Sequence, residues 1–356
     1  MAVPFTRIIG FAMIVVATLA LAGCGGIAPR SSSVKAVQSL KSATLTHLKD
    51  IGSSPGQAMM IRLFKQTNEF EVWKRTTAGT FKLFKTYDIC AYSGTLGPKI
   101  KEGDRQAPEG FYNITPGLMN PNSNYYLSFN TGFPNKFDRA WGRTGSELMV
   151  HGDCSSRGCY SMTDEAIAEI YALVRESFAG GNPVVQMQIF PFRMTPQRLA
   201  AYSTNPNIDF WQNIKEGYDR FELAKVPPSW DVCEKKYVFD LKREDGTPLD
   251  AAAACPPRSG DALWTAVQAK QSADDAAYKV EVAAISDREA KAAAALQAEA
   301  NAKAAAKARG EAMGNFVGGL FGGGQPAPAE TPAQAPAPAP AGDTAAPVPL
   351  PSPKGT

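Results

Sequence analysis

Beyond about residue 258 this chain has almost nothing with which to build a core. Residues 258–316 are mostly alanine interspersed with Lys, Glu, Arg and Gln, and residues 317–356 are rich first in glycine and then in alternating Pro and Ala. Alanine is the strongest helix former, so 258–316 is expected to be one long helix. Its apolar side is alanine, which supports a surface helix or a loose coiled coil and not a core. The Pro/Ala tail is expected to be disordered and extended. A globular fold must therefore come from the residues before 258. The length of 356 would allow two domains, but this uneven distribution predicts one folded domain, 34–257, carrying tails.

The N-terminus reads as an export signal over residues 1–23. Arg7 supplies a positive charge, Ile8 to Leu21 is apolar, and the run is shorter than a spanning helix requires. Leu21-Ala22-Gly23-Cys24 resembles a bacterial lipobox. That predicts cleavage before Cys24 and lipid on it, hence a membrane partner. Gly25, in place of an acid, points to the outer membrane by resemblance to Gram-negative lipoproteins. Residues 24–33 are Gly, Pro and Ser rich and read as a tether. The net charge of +3, with no basic cluster interleaved with aromatics, gives no sign of a nucleic-acid partner.

Within 34–257 the pattern is β-rich. Val34 to Lys49 has near-helical apolar spacing and predicts one amphipathic helix, with His47 as a surface or capping residue. Met59–Phe64, Glu69–Lys74 and Phe81–Tyr87 alternate apolar with polar, which predicts an antiparallel meander with one wet face. Pro183–Phe190 reads as a further strand, Pro196–Ala201 and Phe210–Phe221 as helices, and Lys235–Phe239 as a last strand. The polar loop from Pro98 to Gly110 is of a kind that borders sites.

The chemistry concentrates in Leu148-Met149-Val150-His151-Gly152-Asp153-Cys154-Ser155-Ser156-Arg157-Gly158-Cys159-Tyr160. An apolar run delivers one of only two histidines. A Gly/Ser loop follows, then a second cysteine, then a helix that Thr163 can cap and whose first turn is acidic. Strand, His, Gly loop, Cys, helix is an order suited to a thiol nucleophile, because a thiolate is favoured by a nearby imidazolium and by backbone amides. Amides around Gly158 and Cys159 could face a developing oxyanion. A structural cysteine beside a histidine is the alternative. A zinc site of His151, Cys154 and Cys159 lacks an obvious fourth ligand.

His151-Gly152 followed by Ser156-Arg157-Gly158-Cys159 resembles the signature of the L,D-transpeptidase catalytic domain (YkuD) family, and the resemblance is nearest to its YafK-type murein branch. Further segments carry it in order: Cys90–Lys99, Gly103–Tyr112 and Pro191–Thr195. It spans roughly Met59 to Phe239. Arg157 stands where the wider family has a second histidine, and Ser161 where it usually has an arginine. The resemblance implies a mainly β fold with α additions, a YkuD-like β-sandwich catalytic domain with a few packed helices. It implies Cys159 as nucleophile and His151 as its base. Gly158, Ser156, Arg157, Tyr160, Arg139 and Glu109 are the candidates for oxyanion or substrate binding. No metal or organic cofactor is expected. The implied partners are peptidoglycan stem peptides and a murein-linked lipoprotein, in the envelope of a Gram-negative bacterium.

The implied reaction is acyl transfer at the L-centre of diaminopimelate, with the YafK-type branch pointing to hydrolysis of a diaminopimelate–lysine link. Cross-link formation or lipoprotein attachment is one alternative, and a non-catalytic murein-tethering lipoprotein is another. Asp153 or a backbone carbonyl would orient His151. With Cys24 lipidated and Cys159 catalytic, four cysteines remain in an oxidising compartment, and they allow three pairings. Cys233 with Cys255 is favoured, since they bracket the last strand. Cys90 with Cys154 would then stiffen the site, against the competing idea of a reversible Cys154–Cys159 bridge.

Overall fold

The computed structural model describes residues 34–258, 260 and 262–321. The expected signal, Cys24, the tether and most of the tail lie outside the described residues. Among them, no helix is long and apolar enough to cross a membrane. The chain divides into two compact units. One comprises 34–63, 68–189 and 225–227; the other comprises 64–67, 190–224 and the described residues from 228 on. The single domain read from the sequence over 34–257 is thus shared between two units.

The first unit is a β-sandwich-like body. One five-stranded sheet has the order β3-β2-β1-β10-β5, built from β1 (Met59–Phe64), β2 (Glu69–Arg75), β3 (Phe81–Asp88), β5 (Gly110–Ile114) and β10 (Val185–Phe190). The other has the order β4-β9-β8-β7-β6, from β4 (Ala91–Tyr92), β6 (Met119–Asn120), β7 (Ser128–Asn130), β8 (Met149–His151) and β9 (Tyr160–Ser161). Apolar residues of both sheets share one core with the inner face of helix α3 (Asp164–Ala179): Ile61, Leu63, Val72, Tyr112, Met187, Phe129, Val150, Tyr160, Ile170 and Val174 all belong to it. A short helix α2 (Lys136–Ala140), closed by an Asn135/Asp138 capping box, leads towards β8.

The meander forms as expected, but its wet face does not run throughout. Every residue of β1 is buried: Met59, Ile61 and Leu63 lie in the shared core, and Met60, Arg62 and Phe64, on the opposite face, are buried as well. Only β3 alternates with solvent, and it does so with two exposed residues between buried ones. A bulge explains this: Val72 pairs Lys85 while Trp73 pairs Leu83, so Phe84 is an extra residue on β3 and its phase shifts.

The single helix expected over 34–49 is two pieces, a 3-10 turn at Val34–Val37 and α1 (Ser42–Asp50). Arg175 of α3 takes the carbonyls of Ala36 (2.5 Å) and Gln38 (2.9 Å). Those oxygens are then lost to a continuous helical ladder. His47 is exposed and bonds the Phe84 carbonyl at 2.7 Å. Helix α3 starts where the sequence predicts, with Thr163 Oγ1 accepting the Ala166 amide at 3.1 Å. Thr163→Ala is expected to cost about 1 kcal/mol, read as a lowered denaturation midpoint with the native spectrum unchanged.

The second unit holds α4 (Pro196–Ala200), α5 (Ile208–Ala224), the hairpin β11 (Trp230–Cys233) with β12 (Lys236–Phe239), and α6 (Ala262–Phe321). The disulfide Cys233–Cys255 closes the segment after the hairpin, in the favoured pairing. Lys215 of α5 ion-pairs Asp219 and also Asp274 of α6, and Lys270 meets Asp274 at 2.6 Å. Past these anchors α6 is exposed from Ser286 to Leu320. It runs through Gly318 and Gly319, past the end expected at residue 316. Alanine propensity and spaced pairs such as Asp287 with Lys291 (2.7 Å) sustain a helix with no apolar stripe.

Candidate active site

The site is made by the one parallel pairing of the second sheet. Strands β8 and β9 run side by side with Val150 opposite Tyr160 and His151 opposite Ser161. One step back, Met149 stands beside Cys159, and its amide donates to Cys159 Sγ at 3.4 Å. Cross-strand partners share a face, so His151 and Cys159 lie on one face, two positions apart along the ladder and about 8 Å apart in backbone. Val150 and Tyr160 point the opposite way and are fully buried. The strand period therefore sorts the motif, with the core on one side and the chemistry on the other.

His151 is oriented by a backbone carbonyl, one of the two candidates. Its Nδ1 lies 2.5 Å from the Gly152 oxygen. A carbonyl only accepts, so Nδ1 carries the proton and Nε2 keeps its lone pair. The Tyr125 ring covers the imidazole at 4.8 Å between centroids and is itself 47% exposed. Gly152 is required by close approach: its amide donates to the Tyr125 carbonyl at 3.0 Å, and a Cβ there would run into Asp164 Oδ1. Asp153, the other candidate, is exposed, and its amide is held by Asp164 Oδ1 at 3.0 Å.

Two consecutive non-glycine residues of the loop, Asp153 and Cys154, have left-handed backbones, at φ 68° and 34°. Such conformations cost of order 1–3 kcal/mol each and persist only where the surroundings fix them. Here the Asp164 carboxylate holds one, and the disulfide Cys90–Cys154 holds the other. Cys90 is tied in turn to β9 through its amide and the Ser161 carbonyl at 2.9 Å. This pairing leaves Cys159 as the free cysteine among the described residues. It also removes Cys154 from any bridge to Cys159 and from a zinc site, and no group of metal-ligating side chains occurs among the described residues.

Ser156 knits the loop: its hydroxyl donates to the Cys159 carbonyl at 2.6 Å, receives the Gly158 amide at 3.3 Å and meets Ser93 Oγ at 3.2 Å. Gly158 has φ 134°, a conformation that favours glycine. Arg157 is exposed beside it. Arg139 is exposed on α2, with its guanidinium on the Pro134 carbonyl.

Two candidates for substrate contact are corrected. Tyr160 is fully buried on the core side, its hydroxyl donating to the Pro108 carbonyl at 2.7 Å, because the strand period turns it away from Cys159. Glu109 is also fully buried, its carboxylate accepting the Gly97 amide at 2.7 Å, so it anchors the 97–109 loop.

Four contributors escape the sequence reading: the Met149 amide, the Tyr125 ring, Lys99 and Glu147. Lys99 is 3% exposed, paired with Asp104 at 2.6 Å, and its charge acts favourably on the Cys159 thiolate. Glu147 offers its carbonyl to the Cys159 thiol at 3.6 Å. Met149 and Lys99 fall within motif segments, which is the signal the sequence offers for them.

Burial dominates the titration of both principal groups. It pushes the Cys159 thiol above its ordinary value, against the Met149 amide; the Glu147 charge adds to the rise and Lys99 opposes it. It pulls His151 below its ordinary value, against the Gly152 carbonyl and Asp153. Both shifts favour the neutral forms, thiol and imidazole, which suits a histidine that acts as base towards a thiol. A raised thiol pKa means less thiolate at any given pH. Alkylation of Cys159 by iodoacetamide should therefore climb with pH through a midpoint above that of an ordinary thiol, with no plateau in the acid range. A rate already flat below neutrality would contradict this.

The β-sandwich-like body thus carries Cys159, the free cysteine among the described residues, and a buried, carbonyl-oriented His151 on one face of the same sheet. The L,D-transpeptidase catalytic domain (YkuD) family matches residues 63–185, a span holding both groups. The chain is also 42% identical over 183 residues to the Escherichia coli (strain K12) protein named "Putative L,D-transpeptidase YafK", a match covering 51% of this chain and 74% of that protein, and equally to its namesake from strain O157:H7. This protein therefore belongs to the L,D-transpeptidase (YkuD) family, which acts on peptidoglycan. Among solved structures it is similar to the helical cell shape determining protein Pgp2 of Campylobacter jejuni, at 18% identity and TM-score 0.31 over 65% of this chain and 77% of that one. It is also similar to Bd1075 of Bdellovibrio bacteriovorus, at 20% identity and TM-score 0.28 over 38% and 49%.

Proposed function

We propose that this protein is a cysteine acyltransferase of the cell wall that hydrolyses the link between diaminopimelate and a lysine, releasing a lipoprotein from murein. The observation that supports the thiol mechanism is the pairing of β8 with β9, which puts the free Cys159 on the same face as a His151 whose Nδ1 is committed to the Gly152 carbonyl. Nε2 is then the base. It takes the Cys159 proton as sulfur attacks the carbonyl at the L-centre of diaminopimelate. The oxyanion rests on the Cys159 amide and on that of Gly158, whose 3.3 Å bond to Ser156 is long enough to be exchanged. The C–N bond breaks, the imidazolium returns its proton to the departing amine, and a thioester remains on Cys159. Water, deprotonated by His151, resolves the thioester to a carboxylate and the free thiol.

Support for lysine as the leaving group is the match to YafK over the catalytic segment, together with Arg157 and Ser161 at positions where the wider family places histidine and arginine. Leu21-Ala22-Gly23-Cys24 supports a lipid anchor on Cys24, facing the periplasm from the outer membrane, and an oxidising compartment suits the two disulfides. The test is a product assay with the full chain on two muropeptides, one bearing a lysine-linked peptide on diaminopimelate and one ending in D-alanine. Release of the lysine-bearing fragment is expected. Release of D-alanine with formation of a cross-linked dimer would make the protein a transpeptidase. Release of neither would leave a murein-binding lipoprotein.

A further inference from the structure

Glu147 sits against the nucleophile in a way that catalysis alone does not explain. It immediately precedes Leu148 and β8, and its backbone is left-handed at φ 52°, which puts its carbonyl 3.6 Å from Cys159 Sγ. Its side chain is exposed and enters no ion pair or hydrogen bond among the described residues. On the same rim Glu102 carries a second carboxylate, joined to Ser146 Oγ at 3.5 Å and through its own amide to Thr144 Oγ1 at 3.1 Å. The nearby cation, Lys99, is already matched by Asp104 at 2.6 Å. A thiol that must become thiolate thus has an unmatched carboxylate as its exposed neighbour, and like charge opposes ionisation. Such an arrangement gains only if the substrate brings a positive charge.

We propose that Glu147 is a specificity-determining residue that receives a primary ammonium group of the acyl donor, the one on the far amino-acid centre of diaminopimelate, with Glu102 as the second wall of that subsite. This rests on the acyl-transfer reading above and deepens it. Diaminopimelate keeps a second amino-acid centre when its L-centre carboxyl is the scissile one, so a donor whose far amine is not acylated carries an ammonium there beside a carboxylate, and it is the ammonium that faces Glu147. Docking it on Glu147 neutralises the charge that opposes the thiolate, and the nucleophile is released from repulsion only in the complex. A donor without that ammonium leaves the repulsion in place. Binding and activation are then one electrostatic event, which also guards the thiol from other electrophiles between turnovers.

The test compares two stem-peptide donors that differ only in a free or N-acetylated far amine, with the full chain and the rate of thioester formation on Cys159 as readout. A charge pair at contact distance is worth from about fivefold in bulk water to far more as the dielectric falls, so wild-type protein should prefer the free amine by about tenfold. Glu147→Gln should bring the ratio close to one while raising the rate of alkylation by uncharged iodoacetamide at neutral pH. Glu147→Lys should reverse the preference. An unchanged tenfold ratio in Glu147→Gln would overturn the assignment while leaving acyl transfer standing, as would a wild-type ratio near one. Wild-type protein that forms no thioester with either donor would remove the acyl-transfer reading itself, and this assignment with it.

Discussion

Cys159→Ala is expected to lower turnover of a lysine-linked muropeptide by at least about 10⁴-fold, the scale on which enzymes lose activity when a covalent nucleophile is removed. The thiol is partly exposed, at the end of a two-residue strand, and alanine keeps the backbone bonds that shape its loop, so folding should be unchanged. Binding to isolated murein should persist, since only the Sγ atom is removed. His151→Ala should fall less far, by about 10²–10⁴-fold, as expected for loss of a general base alone. It should also abolish any activity limb set by imidazole protonation. Activity retained in full by Cys159→Ala would end the thiol mechanism.

Removing the bridge between Cys90 and Cys154 is expected to have the second largest effect. The two residues are 64 apart in sequence. Closing a loop of that size is worth about 4 kcal/mol on the chain-entropy account. The local consequence is sharper. Cys154 is held in a left-handed conformation between His151 and Cys159, and the bridge ties its side chain while its amide donates to the Met162 carbonyl at 3.4 Å. The double variant Cys90→Ser/Cys154→Ser should therefore lose about 4 kcal/mol in denaturant unfolding and lose turnover disproportionately at temperatures where it remains folded. Mild reduction of the wild type should reproduce both effects and reoxidation should reverse them. A variant with unchanged activity would show that the loop keeps its shape without the bridge.

The site was legible where its chemistry is local in sequence and opaque where pairing creates it. His151, Gly158 and Cys159 fall within nine residues of one another, and their types announce a thiol site. The Met149 amide and the Glu147 carbonyl become part of that site only because β8 lies parallel to β9, and two strands of three and two residues carry no periodic signal. The same brevity hides β4, β6 and β7, so the whole second sheet is invisible to alternation while the first is read from β1, β2, β3 and β10. Tyr160 was misplaced because proximity to Cys159 in sequence means the opposite face in a strand. Glu109 was misplaced because a polar loop residue gives no sign of the amide it accepts. At the N-terminus helical spacing was real, but Arg175, 139 residues from Ala36, decides where the helix breaks. The extent of α6 was underestimated because its glycines, penalised as helix interior by about 1 kcal/mol each, come at the end of a helix long enough to absorb them.

The most direct test of the central claim is the intact mass of the full chain, quenched in acid during reaction with the lysine-linked muropeptide. The expected result is a population heavier by the murein acyl fragment, without the lysine-bearing part. Peptide mapping should place the added mass on Cys159 and on no other cysteine. A chain that turns the substrate over with no adduct at Cys159, or with its adduct elsewhere, would contradict the account.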